Sequence, residues 1–250
     1  MRKLLLLLFV GLSVFNSRAI AGPMACPDGK TYADYAAFGV MGCLLGDKVF
    51  SNFSLRLGPN TGAATTPKAN QIAVTPINTA ANPGFRFTGN PAFHSPPPPG
   101  PPAFFSYRFE YDVRVQAGGQ PITDASLMMP MPTVAADGSL TIQELICLGG
   151  PFESKGICAN GNPMATLNVF DTPVGVQLMD SVTFSRPYRV VAAQTLIIAD
   201  AGSKGSASVD SFTEQFSESR ARVDEPGSLA ILVAGLMVLG LVRASWCAHR

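Results

Sequence analysis

Histidine is scarce in this chain: there are two in 250 residues, and only His94 lies away from the extreme C-terminus. A Ser-His-Asp or Cys-His nucleophile system would have to be assembled around that one ring, and a solvated histidine beside a proline loop is the simpler reading. Charge is sparse too, at 14% of residues with a formal net of +1. Between residues 22 and 223 there are 13 basic and 15 acidic side chains and no basic run, so the chain has no electrostatic footprint for nucleic acid. No Cys-x-x-Cys pair occurs, which removes the usual zinc spacing, and Gly202-Ser203-Lys204-Gly205 lacks the spacing of a phosphate-binding loop and reads as a turn. No internal repeat of 20–50 residues is visible. Neither a cofactor nor a metal is expected.

What is present is concentrated at the two ends. Met1-Arg2-Lys3 is a positive start, Leu4 to Phe15 is largely apolar, and Ala19-Ile20-Ala21 has the small-x-small form of a cleavage site. Residues 1–21 therefore read as a signal peptide, with Gly22 first in the mature chain. Acylation of Cys26 is the alternative, but Pro23-Met24-Ala25 is a poor approach to a lipoprotein cysteine. At the other end Asp224-Glu225-Pro226-Gly227-Ser228 precedes an apolar run from Leu229 to Val242, followed by Arg243 and a tail ending His249-Arg250. Proline is tolerated in a first helical turn and acidic residues favour the positive end of the helix dipole, so a helix is expected from Gly227 to Val242. Its length of roughly 24 Å is short of the ~30 Å hydrocarbon core. It is nonetheless apolar on every face and stopped by arginine, as a spanning segment with its tail in the cytoplasm would be.

These residues resemble the PEP-CTERM sorting domain of Gram-negative bacteria, in which Pro-Glu-Pro precedes a short apolar helix and an arginine-rich end. Glu225 and Pro226 match the last two motif positions, Leu229 to Val242 the helix, and Arg243 and Arg250 the basic end. Asp224 departs from the first proline, and the arginines are diluted by Trp246 and Cys247. Gly42-Cys43 through Phe53 also looks like a stretch found in exported PEP-CTERM proteins of unassigned function. The resemblance implies recognition by an exosortase-type transpeptidase, cleavage near the motif, and an organism that makes exopolysaccharide.

Residues 22–223 then form one exported domain, long enough to bury a substantial core. Cys26, Cys43, Cys147 and Cys158 lie on the exported side, and Cys247 lies beyond the membrane helix. Four cysteines allow three pairings. The local one, Cys26 with Cys43 and Cys147 with Cys158, closes two short loops rich in turn residues, each contributing roughly 3 kcal/mol by restricting the unfolded chain.

A two-turn helix is expected from Thr31, as N-cap, to Gly39. Beyond it the chain reads as strands. In Phe105 to Val115 the residues Phe105, Tyr107, Phe109, Tyr111, Val113 and Val115 alternate with polar ones, giving one core face and one wet face. Val174, Val176, Leu178, Val182 and Phe184 repeat that alternation with Asp180 as an exception, and Tyr188 to Ile198 reads as a central strand. Further strands are expected over 49–57, 71–77, 85–88, 126–131, 140–148, 166–170 and 207–216. Ser95 to Pro102 should be a stiff polyproline loop. About ten strands and one short N-terminal helix specify an all-β, antiparallel β-sandwich.

The chemistry is thin. Glu110 and Asp112 share the wet face of their strand, as the carboxylates of a glycoside hydrolase might, but Arg108 and Arg114 flank them, which favours a solvated ladder of opposite charges. The expectation is a non-enzymatic surface or matrix protein, tethered in the inner membrane as a precursor, then delivered to the envelope or extracellular matrix and associated with exopolysaccharide. The alternative is a carbohydrate-binding or adhesive module using exposed aromatics Phe85, Phe87, Phe93 and Phe104.

Overall fold

The computed structural model describes residues 22–218, except 80, 98, 99 and 155. In chain order the elements begin with β1 (Met24–Ala25), β2 (Lys30–Thr31), α1 (Tyr32–Ala36), β3 (Cys43–Leu45), β4 (Lys48–Thr61) and β5 (Ile72–Ile77). Then come β6 (Gly84–Ser95), β7 (Phe104–Val115), β8 (Ile122–Met128), β9 (Thr133–Ala135), β10 (Ser139–Leu148) and β11 (Phe152–Ser154). The last are β12 (Ile157–Cys158), β13 (Met164–Thr172), β14 (Gly175–Gln177), β15 (Met179–Tyr188), β16 (Val190–Asp200) and β17 (Ser206–Glu218). The ten longer strands are those the sequence patterning picks out. The extra ones are pieces of two or three residues, too short to carry a period.

One sheet runs β1-β3-β4-β7-β16-β10-β13-β14 and the other β15-β8-β17-β6-β5-β2, with β9 beside β17. All pairings are antiparallel except β1 with β3. The sheets pack face to face because alternate residues of each long strand are apolar. On β7 the inward residues Phe105, Tyr107, Phe109, Tyr111, Val113 and Val115 are all buried. Their rings meet those of the opposite sheet: Phe87 lies 5.5 Å from Phe109, Phe212 lies 5.1 Å from Phe109, and Phe93 lies 5.5 Å from Tyr107. Edge-to-face and offset contacts at these separations contribute about 0.5–1.5 kcal/mol each beyond burial.

Helix α1 closes one side of the sandwich. Thr31 and Asp34 form a reciprocal capping box, and Gly39 adopts a left-handed φ of 53° just past the end. Buried Tyr32 and Tyr35 drive the helix against Phe53, Phe85, Phe87 and Phe109. The Tyr32 hydroxyl donates to the carbonyls of Ser54 and Glu110, which ties the plug to β4 and β7. Two disulfides, Cys26–Cys43 and Cys147–Cys158, fasten β1's end to β3 and β10 to β12. They mark a domain that folds in an oxidising compartment.

Three expectations are corrected by the tertiary structure. The run from Val174 to Phe184 is not one strand, because the chain leaves one sheet after β14 and enters the other at β15. Val174 is 96% exposed, and Asp180 is retained because its carboxylate accepts the Asn168 amide at 2.8 Å. The strand expected over 85–88 continues to Ser95, because β17 pairs with β6 on both sides of a bulge formed by Gly89 to Ala92 opposite Asp210. His94 consequently lies within β6, half-buried, and exchanges backbone hydrogen bonds with Thr65 instead of sitting in a loop. The strand expected over 126–131 is also displaced. It starts at Ile122 and ends at Met128, before Pro130 and Pro132.

Candidate functional site

Four groups of residues bear on function. The aromatics expected at the surface are the first, and three of the four are core. Phe85, Phe87 and Phe93 are fully buried, and only Phe104 is half-buried at the start of β7. The physical reason is parity: 85, 87 and 93 fall on the inward face of β6 across its bulge, where burial of each ring outweighs any role at the surface.

The second group is a carboxylate pair inside the sandwich, which sequence reasoning missed. Glu144 on β10 and Glu214 on β17 are both fully buried. Glu214 accepts the Tyr111 hydroxyl at 2.5 Å and also the hydroxyl of Thr195. Burial pushes its carboxyl up to about 7, against the opposing pull of those two bonds. Glu144 faces Thr195 on one neighbouring strand and Leu167 on the other, and neither of its carboxylate oxygens has a hydrogen-bond partner. Burial first, and then the charge of Glu214, hold it well above the usual carboxylate range. Perturbed acids often mark active sites, but these are sealed between two sheets and no polymer reaches them. The signal available in the sequence was an acidic residue at an inward position of each of two apolar strands, Leu140 to Ile146 and Phe212 to Phe216.

The third group is the outer face of the eight-stranded sheet, where Glu110 and Asp112 lie half-buried as expected of a wet face. Their partners are not Arg108 and Arg114. Glu110 accepts Gln194 Nε2 at 2.9 Å and Ser54 Oγ at 3.2 Å, with Arg56 Nη2 at 3.9 Å, and Asp112 accepts Asn52 Nδ2 at 2.6 Å. The ladder therefore runs across strands and not along β7, since cross-strand neighbours are closer than residues two apart on one strand. Partial burial raises the Asp112 carboxyl, opposed by the Asn52 bond. In the next row Arg56, Arg108, Leu196, Gln143 and Asn168 are successive register partners across β4, β7, β16, β10 and β13. Gln143 Nε2 donates to Asn168 Oδ1 at 3.0 Å.

The fourth group is the corner where the domain ends. Buried Lys48 donates to Glu218 Oε1 at 2.6 Å, to the Gln120 carbonyl at 2.8 Å and to Asp47, so the start of β4 and the end of β17 share one cation. The Gly202–Gly205 segment is a turn as expected, and its amides are already satisfied. Asp137 accepts the hydroxyl and amide of Ser203 and the amide of Lys204, bonds that lower its carboxyl to about 2.

Among the described residues no cluster of His, Cys, Asp and Glu is arranged to hold a metal, and no helix is long and apolar enough to cross a membrane. Ala19 and Ala21, the motif Asp224, Glu225, Pro226 and Arg243, the helix expected over 227–242 and Cys247 all lie outside the described residues.

No family model matches the chain, and no curated protein matches it. Among solved structures it is similar to TmCBM61 in complex with β-1,4-galactotriose, at 10% identity over 66% of this chain and 88% of that one, with a TM-score of 0.28. It is also similar to the enzymatically active domain of bacteriophage CBA120 tailspike protein 4, at 16% identity over 65% of this chain and 19% of that one, TM-score 0.26. Endoglucanase 3 of Trichoderma harzianum, from family GH12, gives 10% identity over 66% and 97%, TM-score 0.22. Overlaps this low carry no functional argument, so function is argued from the residues of this chain.

Proposed function

We propose that this is an exported, non-enzymatic surface or matrix protein, sorted by the exosortase-type signal at residues 224–250. Its sandwich holds extracellular polysaccharide on the outer face of the eight-stranded sheet. The observation that supports this reading is the row Arg56, Arg108, Leu196, Gln143 and Asn168. It spans five strands, roughly 19 Å at ~4.8 Å per strand, and no described element packs over it. A long face of amides and guanidiniums beside an apolar side chain suits the hydroxyls and ring faces of a polymer better than a single small molecule. The carboxylate pair with raised pKa is walled into the core, which directs the reading toward binding.

The test has two parts. The full exported chain, purified in detergent, is run by affinity electrophoresis through gels holding a neutral glucan, a galactan or a polyuronate, and retardation by at least one is expected. Mass spectrometry of the surface form should find a C-terminus between Asp224 and Gly227, and replacing Glu225 and Pro226 with alanine should leave full-length protein in the membrane. Migration unaffected by all three polymers removes the binding assignment, and a mature surface protein that retains Trp246 and Arg250 removes cleavage at the motif.

A further inference from the structure

The outer face is not chemically uniform, and a hollow lies at its cationic end. Arg56 and Arg108 are direct partners in the antiparallel β4–β7 pair. Side chains so placed have Cβ atoms about 4.5–5.5 Å apart, and like charges there destabilise the sheet. Their donors are poorly matched. Arg108 Nε is buried with no hydrogen-bond partner, and the carboxylate that faces Arg56, Glu110 Oε2 at 3.9 Å, is beyond hydrogen-bond distance and already accepts from Ser54. Beside the two arginines is a cavity of about 120 Å³ lined also by Leu57, Gly58, Pro59, Ser106 and Leu196. Gly58 helps to shape it, at the register slip between Leu57 and Asn60: a Cβ there would lie 1.9 Å from Ser106 Oγ, which would have to rotate away.

We propose that this hollow is a carboxylate subsite and that the polysaccharide bound on this face is acidic, carrying uronate residues. The inference rests on the polysaccharide-binding reading and narrows it. The hollow is lined by both guanidiniums together with Ser106 and Leu196, so a carboxylate that projects from a sugar ring meets cationic donors there. A carboxylate placed there accepts from the accessible guanidinium nitrogens of both arginines and offsets the repulsion between them. The sugar chain then lies along Leu196, Gln143 and Asn168, with its ring against the apolar side chain and its hydroxyls on the amides. Glu110 is the internal competitor, because it shares Arg56 with the incoming anion.

The test uses the full chain in detergent and three immobilised polymers: a polyuronate, the same polymer with its carboxyls reduced to hydroxymethyls, and a neutral glucan. The polyuronate should bind at least about tenfold more tightly than its reduced form, with affinity falling as salt is raised. Arg56→Ala and Arg108→Ala should each lose about tenfold on the polyuronate alone, Arg56→Lys should recover only part, and Glu110→Gln should bind more tightly than wild type. Arg56 is largely exposed, so its variants fold. Equal binding of native and reduced polymer overturns the subsite while leaving polysaccharide binding intact, as does unchanged polyuronate affinity in both arginine variants. Equal inhibition by inorganic phosphate and free uronate, with no preference for the polymer, overturns it in favour of a simple anion site. Binding to none of the polymers overturns the subsite and the wider reading together.

Discussion

The molecule carries two sets of carboxylates, and they differ by which side of one sheet they occupy. Glu110 and Asp112 project outward from β7 and are met by cross-strand amides and hydroxyls. Glu144 and Glu214 project inward, where one has two hydroxyl partners and the other has none. Identical chemistry therefore yields a hydrogen-bonded outer face in one place and buried titrating groups in the other. A shifted pKa alone does not locate a site; access decides whether the perturbed group can act on anything.

The largest expected effect breaks the interior set. Glu214→Ala, measured by urea unfolding at pH 5 where the native carboxyl is protonated, should cost about 3–5 kcal/mol. It leaves the Tyr111 and Thr195 hydroxyls unpartnered and opens a cavity between the sheets. A cost under ~1 kcal/mol would mean that the interior has room and water to re-solvate those hydroxyls.

Glu144→Leu should act in the opposite direction, raising stability at pH 8 by about 1–3 kcal/mol because it removes a buried carboxyl with no partner. The pH dependence follows with a definite sign. An ordinary glutamate ionises near 4.5 and Glu214 near 7 in the folded state, so between those values the unfolded chain releases protons that the native chain keeps. The contribution of Glu214 to stability is complete below about 4.5 and declines as pH rises through about 7. In a Glu144→Leu, Glu214→Gln double variant that decline should flatten, and thermal melts from pH 4.5 to 8 check it. Melting temperatures that rise across this window would contradict the burial of both acids.

The smallest effect is expected on the outer face. Glu110→Gln with Asp112→Asn should change stability by less than about 1 kcal/mol, since each substitution keeps an acceptor oxygen for the Gln194, Ser54 and Asn52 bonds and removes only the long Arg56 contact. A loss of the size expected for Glu214→Ala would mean that the two faces do not differ in the way described.

Much of the fold was legible because period-two alternation is a local property. The inward residues of β7, the Thr31 cap and the Gly39 stop could be read from neighbours a few positions away, and both cysteine pairings from loops of under twenty residues. The surface role assigned to Phe85, Phe87 and Phe93 failed because the three share one parity on β6, and which parity faces the core is set by pairing with distant β17, where Phe87 stands opposite Phe212 and Phe93 opposite Val209. The partners of Glu110 were illegible for the same reason, since Gln194 and Arg56 come from other strands whose register no local pattern specifies.

By itself the sequence determined the all-β class, the disulfide count and the number of long strands. Each of these depends on composition or short-range spacing. Only the tertiary structure decided that Glu144 and Glu214 share a sealed interior, that Lys48 joins the start of β4 to the end of β17, and that Arg56 stands opposite Arg108 at a hollow. Those juxtapositions join residues tens to well over a hundred positions apart, and strand register, fixed by the packing of both sheets at once, is what brings them into contact.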